Sequence, residues 1–272
     1  MARVGATSLS FPGFHGATRL LVLVNLAAYF ALLVIGAVNA DLFTWLFVHG
    51  ALTPELFFHG WVWQPLTYSL VQVGVKATLL SLLSLWFMAG FLENFKRSSW
   101  VLGLYAVSVL GTAFSALAIY LASLALGFGL PQIPLTGSFG GIFGILVAIG
   151  ILYGDTEFML FPLPISIKAR YLAIIYGLVN LALLFGALRI YAFAELGGAL
   201  AGWWFIRRAP GRGMSFLFSE QWYGLRNRYY RWKRRKAAEK FEVYMKSQGR
   251  TVRFDGQGRQ LDEDPDDKKR WN

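Results

Sequence analysis

Gly137-Ser138-Phe139-Gly140-Gly141-Ile142-Phe143-Gly144 and Glu195-Leu196-Gly197-Gly198-Ala199-Leu200-Ala201-Gly202 decide how this chain folds. Both stretches sit in apolar runs of membrane-spanning length. Both carry glycines four apart, Gly140 with Gly144 and Gly198 with Gly202. Such a stripe leaves one face of a helix bare, so a second helix can approach backbone to backbone. The two helices are expected to pack on each other, with Gly137, Gly141 and Gly197 beside them on the same small-residue surface.

The surrounding composition agrees with a bilayer setting. The 272 residues are 56% hydrophobic with a mean hydropathy of +0.48, well above a soluble domain. Runs of about twenty apolar residues cross a hydrocarbon core of about 30 Å. The chain has no cysteine, which excludes disulfides, thiolate nucleophiles and cysteine metal sites. The net charge of +11 is concentrated. Residues 207–250 hold thirteen Lys/Arg against three acids, whereas residues 1–206 hold eight against six. A basic segment following the last apolar run suits anionic lipid headgroups and the positive-inside rule better than nucleic acid.

Read in order, the chain gives a cytoplasmic segment (1–18), a membrane domain (19–206), a basic amphipathic tail (207–250) and a C-terminus (251–272) expected to be disordered around its Asp262–Asp267 acidic cluster. The first span runs from Leu20 to about Val38. Residues 39–65 carry Phe57, Phe58, Trp61 and Trp63 and no Lys or Arg, the pattern of an interfacial loop. Further spans are expected at about Leu66–Glu93, Trp100–Ala125, Gly137–Tyr153, Tyr171–Phe185 and Ile190–Ile206. Lys96, Arg97, Lys168, Arg170, Arg207 and Arg208 then fall on one side and Arg189 on the other, which places both termini in the cytoplasm.

The two glycine stretches resemble the fourth and sixth helices of the rhomboid family of intramembrane serine proteases. Trp63-Gln64-Pro65-Leu66-Thr67-Tyr68 is similar to that family's entry to its second helix. The resemblance extends from about Arg19 to Ile206. It implies an all-α membrane protein, a six-transmembrane-helix rhomboid-like bundle with a long interfacial first loop and a basic cytoplasmic C-terminal tail. It also implies where catalytic groups would sit: the nucleophilic serine's position is Phe139 and the histidine's is Glu195. The oxyanion-binding positions fall on Gln72, Ala77 and Ser81.

That inventory argues against hydrolysis, which needs a hydroxyl, a base within reach and oxyanion donors. Ser138 is adjacent to the nucleophile position, but one helical residue turns it by about 100°. His15, His49 and His59 all precede the second span, and no third ligand completes a metal site, so neither metal nor cofactor is expected. Glu195 and Lys76 lie within spans, where charges pair, neutralise or line water, and a buried Lys76–Glu195 ion pair is one arrangement open to them. The resemblance implies an inactive pseudoprotease of a bacterial inner membrane that binds transmembrane segments of client proteins. Two other readings compete with it: an active intramembrane endopeptidase using unusual residues, and a lipid-binding or bilayer-organising protein. The latter would work through Arg207, Arg208, Arg231, Lys233, Arg234, Arg235 and Lys236.

Overall fold

The computed structural model describes residues 12–127, 133–160, 165–186, 189–208 and 214–249. The expectation of disorder over 251–272 lies outside these residues, as do Pro131, Pro162 and Pro164 in the loops and the side chain of Arg235.

Helix α1 spans Gly16–Val38, and α2 (Ala40–Gly50) follows after a one-residue break. Asn39 makes the break with an extended backbone, and its side chain accepts from Leu42 N to start α2. The interfacial loop then forms the short helices α3 (Pro54–Phe58) and α4 (Gln64–Thr67), the latter running into a 3₁₀ turn at Tyr68–Leu70. Leu52 and Leu135 form an isolated bridge between this loop and the segment before the central glycine stretch. Next come α5 (Val75–Glu93), α6 (Ser98–Leu126) and α7 (Phe139–Leu152). Strands β1 (Glu157–Leu160) and β2 (Ile165–Lys168) pair antiparallel, with Phe158 opposite Ile167. Helices α8 (Ala169–Leu183), α9 (Arg189–Arg208) and α10 (Met214–Ser247) complete the order, the last belonging to a separate unit from Ser215 onward.

Three features differ from the sequence expectation. The second span is broken: Val71–Gly74 is irregular, and Gly74 adopts φ +78, a conformation that a helix cannot continue through. Within the expected loop at 157–168, strands β1 and β2 pair as a small two-stranded addition to a mostly helical fold. Helix α1 begins at Gly16, before Arg19, because a side chain from α5 caps it. The Glu93 carboxylate accepts from Ala17 N (2.7 Å), Thr18 N (3.1 Å), Thr18 Oγ1 (2.7 Å) and Ser98 Oγ. A carboxylate there satisfies free N–H groups and complements the positive end of the helix dipole.

Helices α1, α5 and α6 are each long and apolar enough to cross a membrane, and α7 and α8 are shorter apolar helices. The result is a predominantly helical membrane protein whose core lies between α5, α6, α7 and α9. Leu85, Leu92, Val101, Leu104, Ile145 and Ile149 are fully buried there, with the Trp100 and Phe205 rings 5.4 Å apart. The glycine stretches lie at its centre. An added Cβ at Gly198 would sit 3.0 Å from the carbonyl oxygens of Ser108 on α6 and Gly140 on α7. One at Gly202 would sit 3.0 Å from Gly144 Cα, and one at Gly197 would strike Ser115. Gly140 receives the Thr112 side chain, Gly141 the Tyr105 ring and Gly144 the Ser108 hydroxyl, so the missing Cβ atoms on α7 make room for side chains of α6.

Candidate functional site

Two polar assemblies flank the start of α7. The first is buried and centred on Ser138, which has no exposed surface. Its Oγ is 2.6 Å from Ser81 Oγ and accepts from Gln72 Nε2 at 3.3 Å; Gln72 Nε2 also donates to Asn25 Oδ1 (3.2 Å) and Ser69 O (3.4 Å). This network joins α1, the 3₁₀ turn, α5 and α7. It gives Ser138 hydrogen-bond partners but no base.

The second assembly is a cavity of about 240 Å³. Gln72, Val73 and Ala77 line it from the segment entering α5, and Thr136, Gly137 and Phe139 from the start of α7. Asn180 and Leu183 of α8 and Tyr191, Ala192 and Glu195 of α9 complete it. Gly137, at φ +89, turns the chain so that Ser138 goes inward while Phe139 faces the cavity. A Cβ at Gly137 would meet Gln72 Oε1 at 3.5 Å. Tyr176 OH donates to Glu195 Oε2 at 3.4 Å, and Tyr176 packs edge-on to Phe143 with centroids 4.7 Å apart. Tyr191 OH donates to Pro134 O.

Five of the residues singled out in sequence, Gln72, Ala77, Gly137, Phe139 and Glu195, therefore share one cavity, whereas Ser81 is turned away into the Ser138 network. Lys76 is exposed, and Glu195 has Tyr176 as its partner. The ion pairs among the described residues are those of Asp155 with Lys168 (3.7 Å) and Arg170, so the Lys76–Glu195 pair is not formed. The physical reason is direction: Val73 and Ala77 face the cavity from either side of position 76, and Lys76 points elsewhere. Asn25, Tyr176, Asn180 and Tyr191 were not singled out from sequence. Asn25 and Asn180 carried a signal, as uncharged polar side chains within apolar spans.

No described residues form a group of three His, Cys, Asp or Glu. His49 Nδ1 is 2.6 Å from Trp45 O with its ring on Trp61, and His59 Nδ1 is 2.7 Å from Glu55 O; both sit in the aromatic loop. At the end of α9, Arg207 lies over the Trp203 ring (4.1 Å) and Arg208 over Trp204 (5.6 Å). On α10, Arg231, Lys233 and Arg234 are exposed, and Lys236 lies over Trp232 at 4.4 Å.

Over residues 19–212 the chain matches the model of a family described as eukaryotic integral membrane protein (DUF1751). No curated protein matches it. The match overturns the rhomboid assignment across the very residues on which that resemblance rested. The cause of the misassignment is physical: glycines four apart are what close helix packing requires in any membrane bundle, so the stripe reports packing and carries no chemistry. A family described as eukaryotic also removes the ground for a bacterial inner membrane.

Proposed function

The chain belongs to the DUF1751 family of integral membrane proteins, and on that premise we propose that it is a non-enzymatic membrane protein that receives transmembrane segments of client proteins. The observation that carries this reading is the cavity beside Phe139 and its flanks. Helices α5 and α8 line it from two sides yet make little contact with each other, leaving a lateral way in from the bilayer. Its lining offers no imidazole and no serine, and Ser138 is buried in its own network. Without a serine or an imidazole in its lining, such a site is suited to binding.

The reading takes α1, α5, α6, α7, α8 and α9 as six spans with both termini cytoplasmic. Helix α7, at 14 residues about 21 Å long, is shorter than the hydrocarbon core. It packs against α5, α6, α8 and α9 along its buried stretch from Gly140 to Ile149, while Ile151 and Leu152 at its C-terminal end are exposed. The test is a photocrosslinking residue at Ala77 or Leu183, with Phe114, exposed on α6, as the control. Adducts mapped by peptide mass spectrometry should fall in membrane-spanning segments and concentrate at the two cavity positions. Equal yields at Phe114, or adducts of lipid alone, would refute the reading.

A second role, at the lipid surface, has its own support. Tyr229, Lys233, Lys236, Lys240 and Tyr244 follow one another at helical spacing along one face of α10, with Trp232 and Val243 beside them, while Asn227 lies on the opposite side. Aromatic and lysine side chains on one stripe match an anionic bilayer surface.

A further inference from the structure

We infer that the cavity selects its client by a basic side chain, lysine or arginine, carried within the client's membrane-spanning segment and received at Glu195. This rests on the client-binding reading above. Glu195 is half-buried in a helix bundle, its side chain has Tyr176 and Asn180 beside it, and the lining contains no Lys, Arg or His. The ion pairs among the described residues lie elsewhere, at Asp155. A carboxyl group placed this way is costly in a membrane unless a cation or water meets it, and positions of this kind default to function.

The rest of the lining is also rich in acceptors. Gln72 commits its amide nitrogen to Asn25, Ser69 and Ser138, which leaves its oxygen on the side of Gly137. Asn180 is 2% exposed, donates to Tyr176 O at 3.1 Å, and has a side-chain oxygen with no donor. Val73, Ala77, Phe139, Leu183 and Ala192 supply apolar walls. A lysine or arginine has the matching anatomy: an aliphatic stem for apolar walls and a donor-only head for the carboxyl. At about 30 Å³ per water, a cavity of 240 Å³ has room for such a side chain.

The test uses the full chain in phosphatidylcholine nanodiscs. It has no cysteine, so Val75→Cys gives a unique site for a fluorescence acceptor. Donor-labelled single-span Leu/Ala peptides carry Leu, Lys or Glu at the centre. The Lys peptide should associate about tenfold more tightly than the Leu peptide, with the Glu peptide weakest. Glu195→Gln should bring the Lys and Leu peptides within about twofold of each other. Equal binding of Lys and Leu peptides to the wild type would overturn the inference and leave client binding standing. Association of none of the peptides would overturn both. Retention of the Lys preference by Glu195→Gln would move the selecting group away from this cavity and overturn the inference. A phosphatidylethanolamine arm separates the other source of an ammonium group: the Lys preference should persist there, and its erasure would assign the site to lipid headgroups instead.

Discussion

Replacing Gly198 by alanine probes the point where α6, α7 and α9 meet. The new methyl would lie 3.0 Å from the carbonyl oxygens of Ser108 and Gly140 and would overlap Thr112 Oγ1. Ordinary contact begins at 3.4 Å, so two backbones must each withdraw by about 0.4 Å. Thr112 must also move, which endangers its 2.9 Å bond to Ser108 O. Overpacking of this kind costs about 1–3 kcal/mol, and a lost hydroxyl bond about 0.5–1.5 kcal/mol. Alanine's helix preference returns about 0.5–1 kcal/mol. The net expectation is a loss of about 1–3 kcal/mol. Gly177 on α8 is the control, because a Cβ there meets nothing within 4 Å, and Gly177→Ala should be neutral or stabilising by up to about 1 kcal/mol. Unfolding in mixed micelles with rising SDS, followed by circular dichroism, reads both variants. Wild-type stability in Gly198→Ala would refute the close-approach argument. A loss of equal size in Gly177→Ala would reduce it to a general intolerance of alanine.

Three more outcomes are expected. Glu93→Ala leaves Ala17 N, Thr18 N and two hydroxyls without their acceptor, so the same SDS titration should show a loss of about 2–4 kcal/mol, and proteolysis ahead of α1 should accelerate; unchanged proteolysis would mean that α1 does not depend on this cap. Reporter fusions after residues 97, 168 and 210 should read cytoplasmic and those near 50 and 130 non-cytoplasmic, and a cytoplasmic signal from the first loop would eliminate six spans. With an environment-sensitive dye, Tyr244→Cys should shift blue in anionic but not neutral nanodiscs and lose the shift in high salt, whereas Asn227→Cys, on the opposite face, should not respond. The same response from both faces would remove the oriented lipid contact.

The membrane helices were legible because a run of apolar residues is a length measurement that needs no partner. What failed depended on partners. The start of α1 is fixed by Glu93, a residue distant in sequence, and no local pattern announces it. The break at Val71–Gly74 lies in a stretch as apolar as the helix around it. The hairpin was readable, since Ile165-Ser166-Ile167-Lys168 alternates apolar and polar residues as a strand does. Phe139, Glu195, Gln72 and Ala77 were found as a set, although the family that suggested them was the wrong one. Tyr176 and Asn180 escaped because α8 reads as an ordinary span until its inward face is known.

Helix α8 is held at its start by backbone bonds and farther along by the Tyr176 hydroxyl on Glu195 of α9. Ala169 N donates to Thr156 O (2.8 Å) and Arg170 N to Gly154 O (3.2 Å), and Ala169 is fully buried beside the hairpin. Beyond that point Asn180 is the only other fully buried residue along the helix, and Ile174, Ile175, Leu178 and Val179 face outward. Were the contacts at Tyr176 to release, the helix would act as a lever with its fulcrum at β2. Fifteen residues at about 1.5 Å each give an arm of roughly 20 Å, so a tilt of about 10° sweeps the Leu183 end through about 3–4 Å. Spin-label distances from Gly154 should therefore broaden steadily from Leu172 to Leu183, and a uniform width would rule the lever out. Pivoting of this kind would set the aperture beside Glu195 by one angle, with the hairpin as the bearing on which that angle turns.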